Sequence, residues 1–143
     1  IVIQLHIVSM FLPSLITGIL LKKFGHSVII YAGVIFYSLT IALSFLEPTF
    51  LTYILALVFL GLGWNFLYLS GTGLLVLSYK EEEKFKAQGF NDIIVFSIQA
   101  LASLSAGYML SMTSWKTMNL IAIPFLILII LSSIRADLSK TSM

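Results

Sequence analysis

Residues 1–21, 24–46, 48–79, 93–115 and 117–134 each run without a single Asp, Glu, Lys or Arg. Uncharged runs of this length constrain a chain more than any short motif. A helix needs about 20 residues to cross ~30 Å of hydrocarbon, and the charges between the runs mark where each crossing must end. They predict five spans, at about 1–21, 27–46, 50–78, 87–112 and 117–134, in one transmembrane domain over residues 1–143. The fold class expected is all-α, a polytopic membrane helix bundle. Composition agrees: 59% of residues are hydrophobic, 10% are charged and the mean hydropathy is +1.07. A soluble domain carries about 25% charged residues, so the principal partner of this surface is the lipid bilayer. The net charge of +2 by itself says nothing about nucleic acid, and no nucleic-acid partner is expected.

The third stretch is long enough to raise the question of two crossings. With five spans, Lys22, Lys23, Lys80, Lys84, Lys86, Arg135 and Lys140 share one face and only Lys116 lies on the other. Splitting the third span would spread them three against five. The positive-inside rule selects the first arrangement, with the C-terminus in the cytoplasm and Ile1 at the outer face. The chain starts without Met and enters apolar sequence with no basic leader region. An odd number of spans with an external start also calls for an upstream delivering segment, so a missing N-terminal part is expected. There is no cysteine, which removes disulfides, thiolate metal sites and cysteine nucleophiles. Asn65, Asn91 and Asn119 all lack the hydroxyl residue of a glycosylation acceptor. Both features fit a bacterial-type inner membrane.

The longest hydrophilic loop, residues 79–86, reads as a solvated helix entry with Glu82 and Lys86 paired at i,i+4. Its three glutamates suit the positive end of the following helix.

Polar residues separate the spans into two kinds, because a helix lining a polar cavity cannot be uniformly apolar. The fifth is nearly pure Leu, Ile, Ala and Phe around Pro124, and the second has Tyr31, Tyr37, Ser38 and Thr40 but nothing acidic or basic within it. The first holds Gln4 and His6, the third Trp64, Asn65 and Tyr68, the fourth Asn91, Asp92 and Gln99. Three helices thus read as functional and two as peripheral. Asp92 has two readings. A carboxylate in hydrocarbon costs about 2.5–3.5 kcal/mol on insertion scales, so it either anchors and caps its helix or takes part in coupling or gating. His6 is either a hydrogen-bonded interior residue or a proton or substrate contact. Trp64 and Asn65 are mid-span, where a solute cavity or an interhelical hydrogen bond would place them. Gly61, Gly63, Gly71 and Gly73 suit kinking or close helix approach, and Ala102, Ser103, Ala106 and Gly107 suit a packing seam. The glycines match neither a dinucleotide nor a Walker A pattern. No cofactor and no metal is expected.

The stretch Gly18-Ile19-Leu20-Leu21-Lys22-Lys23-Phe24-Gly25-His26, joining the first two spans, resembles the Gly-x-Leu-x-Asp-Arg-x-Gly-Arg signature of the major facilitator superfamily. Gly18, Leu20 and Gly25 match and Lys23 keeps the basic charge. Lys22 replaces the acid and His26 the final basic residue, as in the degenerate second copy of the signature. Residues 61–66 and 87–92 are similar to a bacterial subgroup of these permeases. The resemblance implies helices eight to twelve of a twelve-helix transporter, with the eighth, tenth and eleventh bordering the cavity.

The function expected is secondary active transport of a small solute by alternating access against an N-terminal half, with proton coupling. Gln4, His6, Trp64, Asn65 and Gln99 are the candidate cavity residues. Asn91, Asp92, Lys22, Lys23, Gly18 and Gly25 are the candidates for coupling or gating. The alternative is a non-transporting membrane subunit, or truncated remnant, packed against a partner. An intramembrane enzyme is disfavoured, since there is no paired-aspartate, Ser/His or multi-His arrangement and His6 and His26 lie at opposite ends of the first span.

Overall fold

The computed structural model describes residues 1–141, and the side chains of residues 1–138. Lys140, counted above among the basic residues of one face, has its side chain outside the described ones. The elements are all helices: α1 (Val2–Phe11), α2 (Ser14–Phe24), α3 (His26–Leu43), α4 (Phe50–Val76), α5 (Lys84–Met112), α6 (Trp115–Leu120) and α7 (Ile123–Thr141), with a 3-10 turn at Glu81–Glu83. Four stretches, His26–Leu43, Phe50–Val76, Glu81–Met112 and Trp115–Leu138, are long and apolar enough to cross a membrane. The pair α1 and α2 makes a fifth if counted as one bent span.

Prolines break two of the expected spans. The first, expected unbroken over 1–21, bends by 41° between α1 and α2. Pro13 offers no N–H to the Ser9 carbonyl, and its ring clashes with that carbonyl in a continuous helix. The chain restarts by giving the Pro13 carbonyl to the Ile16 and Thr17 amides, each at 2.9 Å. The fifth, expected over 117–134 with Pro124 as its interruption, divides between α6 and α7, since Pro124 bars the same bond to Leu120. The third is continuous: α4 runs 27 residues, about 40 Å. It opens on a capping box in which Thr49 and Thr52 satisfy each other's backbone amides. Between α2 and α3 the whole connection is Gly25, at φ +83°, a conformation that side chains with a Cβ resist.

The core is α4 held between α1 and α3. Gly61 faces α1 and Gly63, two residues on, faces α3. A Cβ at Gly61 would lie 2.7 Å from the His6 carbonyl oxygen, and one at Gly63 would lie 2.6 Å from the Tyr37 ring. Among the described residues the largest fully buried side chains are Asn65, Thr17, Thr40 and Ser70, while large apolar residues such as Leu15, Ile93 and Leu104 point outward. This inversion of the soluble pattern is what lipid dictates. Tails are as apolar as Leu, so small residues and interhelical hydrogen bonds hold the helices together. Thr40 bonds the Ala56 carbonyl across α3 and α4 at 3.0 Å.

Two expectations are corrected. The second span, read as peripheral, is α3, which packs on α2, α4, α6 and α7. Gly33 and Thr40 let it approach α4 closely. By contrast α5 buries no residue and lies at the edge of the bundle. The pairing expected for Glu82 and Lys86 is replaced by Glu81 with Lys84 at 3.2 Å. Residues 81–83 form a 3-10 turn, so the α-helical i,i+4 register does not extend back to Glu82.

Contacts at the helix ends sort the charges. The His26 ring lies against Gly73, and Ser27 and Tyr31 donate to Asp137 of α7. At the opposite end Lys116 sits 4.2 Å above the Phe45 ring and Trp115 meets Tyr53 edge-on. Lys22, Lys23, Lys80, Lys84, Lys86 and Arg135 therefore occupy one end, and Glu47 and Lys116 the other.

Candidate functional site: a crevice between α4 and α5

The loose seating of α5 leaves a crevice of about 270 Å³ along its contact with α4. From α4 come Trp64, Leu67, Tyr68, Gly71 and Thr72, spaced i, i+3, i+4, i+7 and i+8, which is one helix face. Asn91 and Val95 close it from α5, and Tyr37 reaches in from α3.

Its aromatic wall is a parallel stack, with Trp64 and Tyr68 ring centroids 4.7 Å apart and planes 14° apart. Phe11 meets the far side of Trp64 at 5.8 Å, and Phe96 lies 5.9 Å from Tyr68. This chain of four rings joins α1, α4 and α5. Its polar lining is Tyr68, Thr72 and Asn91, and Asp92 bonds to that lining from outside it. The Tyr68 hydroxyl donates to Asp92 Oδ1 at 3.2 Å, and the Asn91 amide donates to the same oxygen at 3.3 Å. Asp92 is half-buried behind Asn91 and also borders a shallow groove on the outer side of α5. A flat ring system could lie along the Trp64 and Tyr68 side of the crevice while its hydrogen-bonding edge meets Asn91 and Thr72.

The expected site residues separate into three groups. Trp64 and Asn91 line the crevice, and Asp92 stands next to it through the bond from Tyr68. Gln99 lies on the α5 face of Asn91 and Val95, and its carbonyl oxygen is enclosed with no hydrogen-bond partner. Asn65 and His6 face the opposite side of α4. The buried Asn65 accepts from Thr17 at 2.7 Å and donates to the Met10 carbonyl at 2.7 Å. His6 donates from Nδ1 to the Leu57 carbonyl at 2.7 Å. Gln4 is exposed on α1. Gly18, Lys22 and Lys23 are exposed on α2 and lead into the turn at Gly25. Tyr37 and Thr72 were not singled out. Thr72 follows Trp64 and Tyr68 at four-residue steps, a signal present in the sequence, whereas Tyr37 stands on the helix read as peripheral.

A bundle of long apolar helices whose large apolar side chains point outward is that of an integral membrane protein. The profile of the Major Facilitator Superfamily matches residues 2–140, and the chain belongs to that family. The riboflavin transporter RfnT of Brucella anthropi is 37% identical over 130 residues, covering 90% of this chain and 32% of that protein. Two MFS-type transporters of Bacillus subtilis are also similar. YddS is 34% identical and YdeG 32%, each over 122 residues, covering 83% and 84% of this chain and 28% of theirs. The chain thus spans about three tenths of the length of these relatives. No solved structure matches it.

Proposed function

We infer that this chain forms the C-terminal part of a secondary transporter in a bacterial inner membrane, with the α4–α5 crevice as its share of the solute path. The observation that carries this reading is the crevice. In a bundle whose exterior is lipid-facing, it sets an aromatic stack and a hydrogen-bonded carboxylate side by side. Such a site suits a planar, heteroaromatic solute, and the printed function of the relative RfnT makes riboflavin the first to try.

In this reading α1 with α2, α3, α4, α5 and α6 with α7 make five spans. The end rich in lysine and arginine faces the cytoplasm, and with it the C-terminus. The bundle rocks against an N-terminal companion half. Asp92 couples the movement to protons, since a carboxylate at a membrane crevice can gain or lose its charge as the surroundings open and close. Gly18, Lys22, Lys23 and Gly25 form the cytoplasmic gate region. Asn65 and His6 fix α4 to α1 and α2 rather than touch solute, and Gln4 faces away from the path.

The test is riboflavin uptake by the full-length protein in proteoliposomes under an inward proton gradient. Accumulation that collapses with a protonophore, and that Asp92→Asn abolishes, is expected. Uptake indifferent to both the gradient and Asp92→Asn would remove proton coupling, and no uptake at all would remove riboflavin.

A further inference from the structure

Of the glycines in α4, three have a neighbour pressed onto them: Gly61 meets α1, Gly63 meets Tyr37 of α3, and Gly73 meets the His26 ring. Gly71 differs. A Cβ there would meet nothing within 4 Å, and the residue is exposed although α4 is the central helix. Glycine inside a helix is unfavourable unless it admits a close neighbour. Gly71 also belongs to a stripe. Leu60, Trp64, Leu67, Gly71 and Leu74 follow at steps of four, three, four and three, which is one face of α4 over about 21 Å. All five are at least partly exposed, and the spacing is that of a seam against another helix. The stripe looks out between α5 and α7. Leu67 and Gly71 line both the α4–α5 crevice and a further crevice of about 380 Å³, whose other wall is Leu128, Ser132 and Ala136 of α7. α7 packs on α3, and α5 on α4 and α6, but α5 and α7 make next to no contact with each other. They stand apart as the two banks of a trough, and the α4 stripe is its floor.

We propose that this trough seats a membrane-spanning helix from the part of the full-length protein that lies outside this chain, packed along the Leu60–Leu74 stripe with its closest approach at Gly71. The chain spans about three tenths of its relatives' length, so most of the protein is available to supply that helix. Lipid tails suit the trough less well, because they gain nothing from a regular seam. The small residues Gly71, Ser132 and Ala136 instead let a second backbone come close. Tyr68 and Thr72 lie off the stripe on its α5 side, so the helix closes the α4–α5 crevice against lipid without displacing them. The proposal goes beyond the transport reading and depends on no solute.

The test places a photoreactive diazirine amino acid in the full-length protein at Val95, on the α5 bank, and separately at Leu128, on the α7 bank. After irradiation in membranes, mass spectrometry should find both positions joined, within one polypeptide, to the same apolar segment outside this chain. The same group at Leu131, which is exposed on α7 and lines no crevice with α4, should give lipid adducts and serves as the control. Lipid adducts at Val95 and Leu128, adducts confined to this chain, attachment to a second polypeptide, or two different segments would each overturn the proposal. Gly71→Leu gives an independent reading. The helices of this chain leave room for a side chain at that position, so an empty or lipid-filled trough leaves the melting temperature of the full-length protein as in wild type. A seated helix would be pushed off α4, and a fall of several degrees is expected. An unshifted melting temperature overturns the seat at Gly71. Riboflavin uptake by the wild-type protein reports separately on the transport reading.

Discussion

The Thr17 hydroxyl and the Asn65 amide oxygen, 48 residues apart in sequence, lie 2.7 Å apart at a point where both side chains are fully buried. Asn65 also donates to the Met10 carbonyl, so one side chain ties α4 to both limbs of the bent α1–α2 pair. The bend makes this possible. Thr17 and Met10 flank the break at Pro13, where the backbone cannot bond to itself.

Asn65→Ala should therefore destabilise the full-length protein without altering solute affinity. Interhelical hydrogen bonds in membranes average about 0.6 kcal/mol, with a maximum near 1.7. Two are lost, and the Met10 carbonyl is left unpaired in the interior. A fall of about 1–3 kcal/mol is expected, read as a lower melting temperature in detergent, with an unchanged Kd for riboflavin in the folded fraction. A Kd raised with stability intact would instead place Asn65 in the solute path.

Two glycines provide a matched contrast. Gly61→Ala drives a Cβ into Ser9 Oγ and to 2.7 Å from the His6 carbonyl, so α1 must move off α4. Overpacking of this kind costs about 1–3 kcal/mol. Gly18→Ala, with nothing within 4 Å and a helical position in α2, should be neutral or stabilising by up to ~1 kcal/mol. Thermal denaturation of both variants decides it, and equal losses would contradict the packing described.

Much of this was legible in residue order. The uncharged runs fall on the four long apolar stretches, and on a fifth if α1 and α2 count as one bent span, and the absence of a charge between Pro48 and Tyr79 suits the single long α4. Pro124 marks an interruption of the fifth span in the sequence, whereas the first span, expected from hydropathy alone, passes straight through Pro13. The site was harder. Trp64 and Asn65 are adjacent, but consecutive helix residues point about 100° apart, so they address different neighbours. Which of the two meets the crevice depends on where α1 and α5 pack. Tyr37 was passed over because its span carries only hydroxyl groups within the membrane and so read as peripheral. Its position comes from Gly33 and Gly63 drawing α3 onto α4.

Tyr68→Phe keeps the stacked ring but removes the hydroxyl that donates to Asp92. Hydrogen bonds to charged groups are worth about 1.5–3 kcal/mol, and the Asn91 donor remains. Solute affinity should stay within about threefold, while gradient-driven uptake falls by roughly tenfold. An unchanged rate of gradient-driven uptake would detach the Tyr68–Asp92 contact from coupling.

The crevice is tested most directly by the affinity of the full-length protein for riboflavin, titrated through quenching of flavin fluorescence, in wild type and Trp64→Ala. Aromatic stacking contributes about 0.5–1.5 kcal/mol beyond the area buried. Loss of the indole from the stack should therefore raise Kd by roughly tenfold or more and relieve most of the quenching, with Trp64→Phe falling between. Equal Kd and equal quenching in wild type and Trp64→Ala would contradict the assignment of the α4–α5 crevice as the solute site.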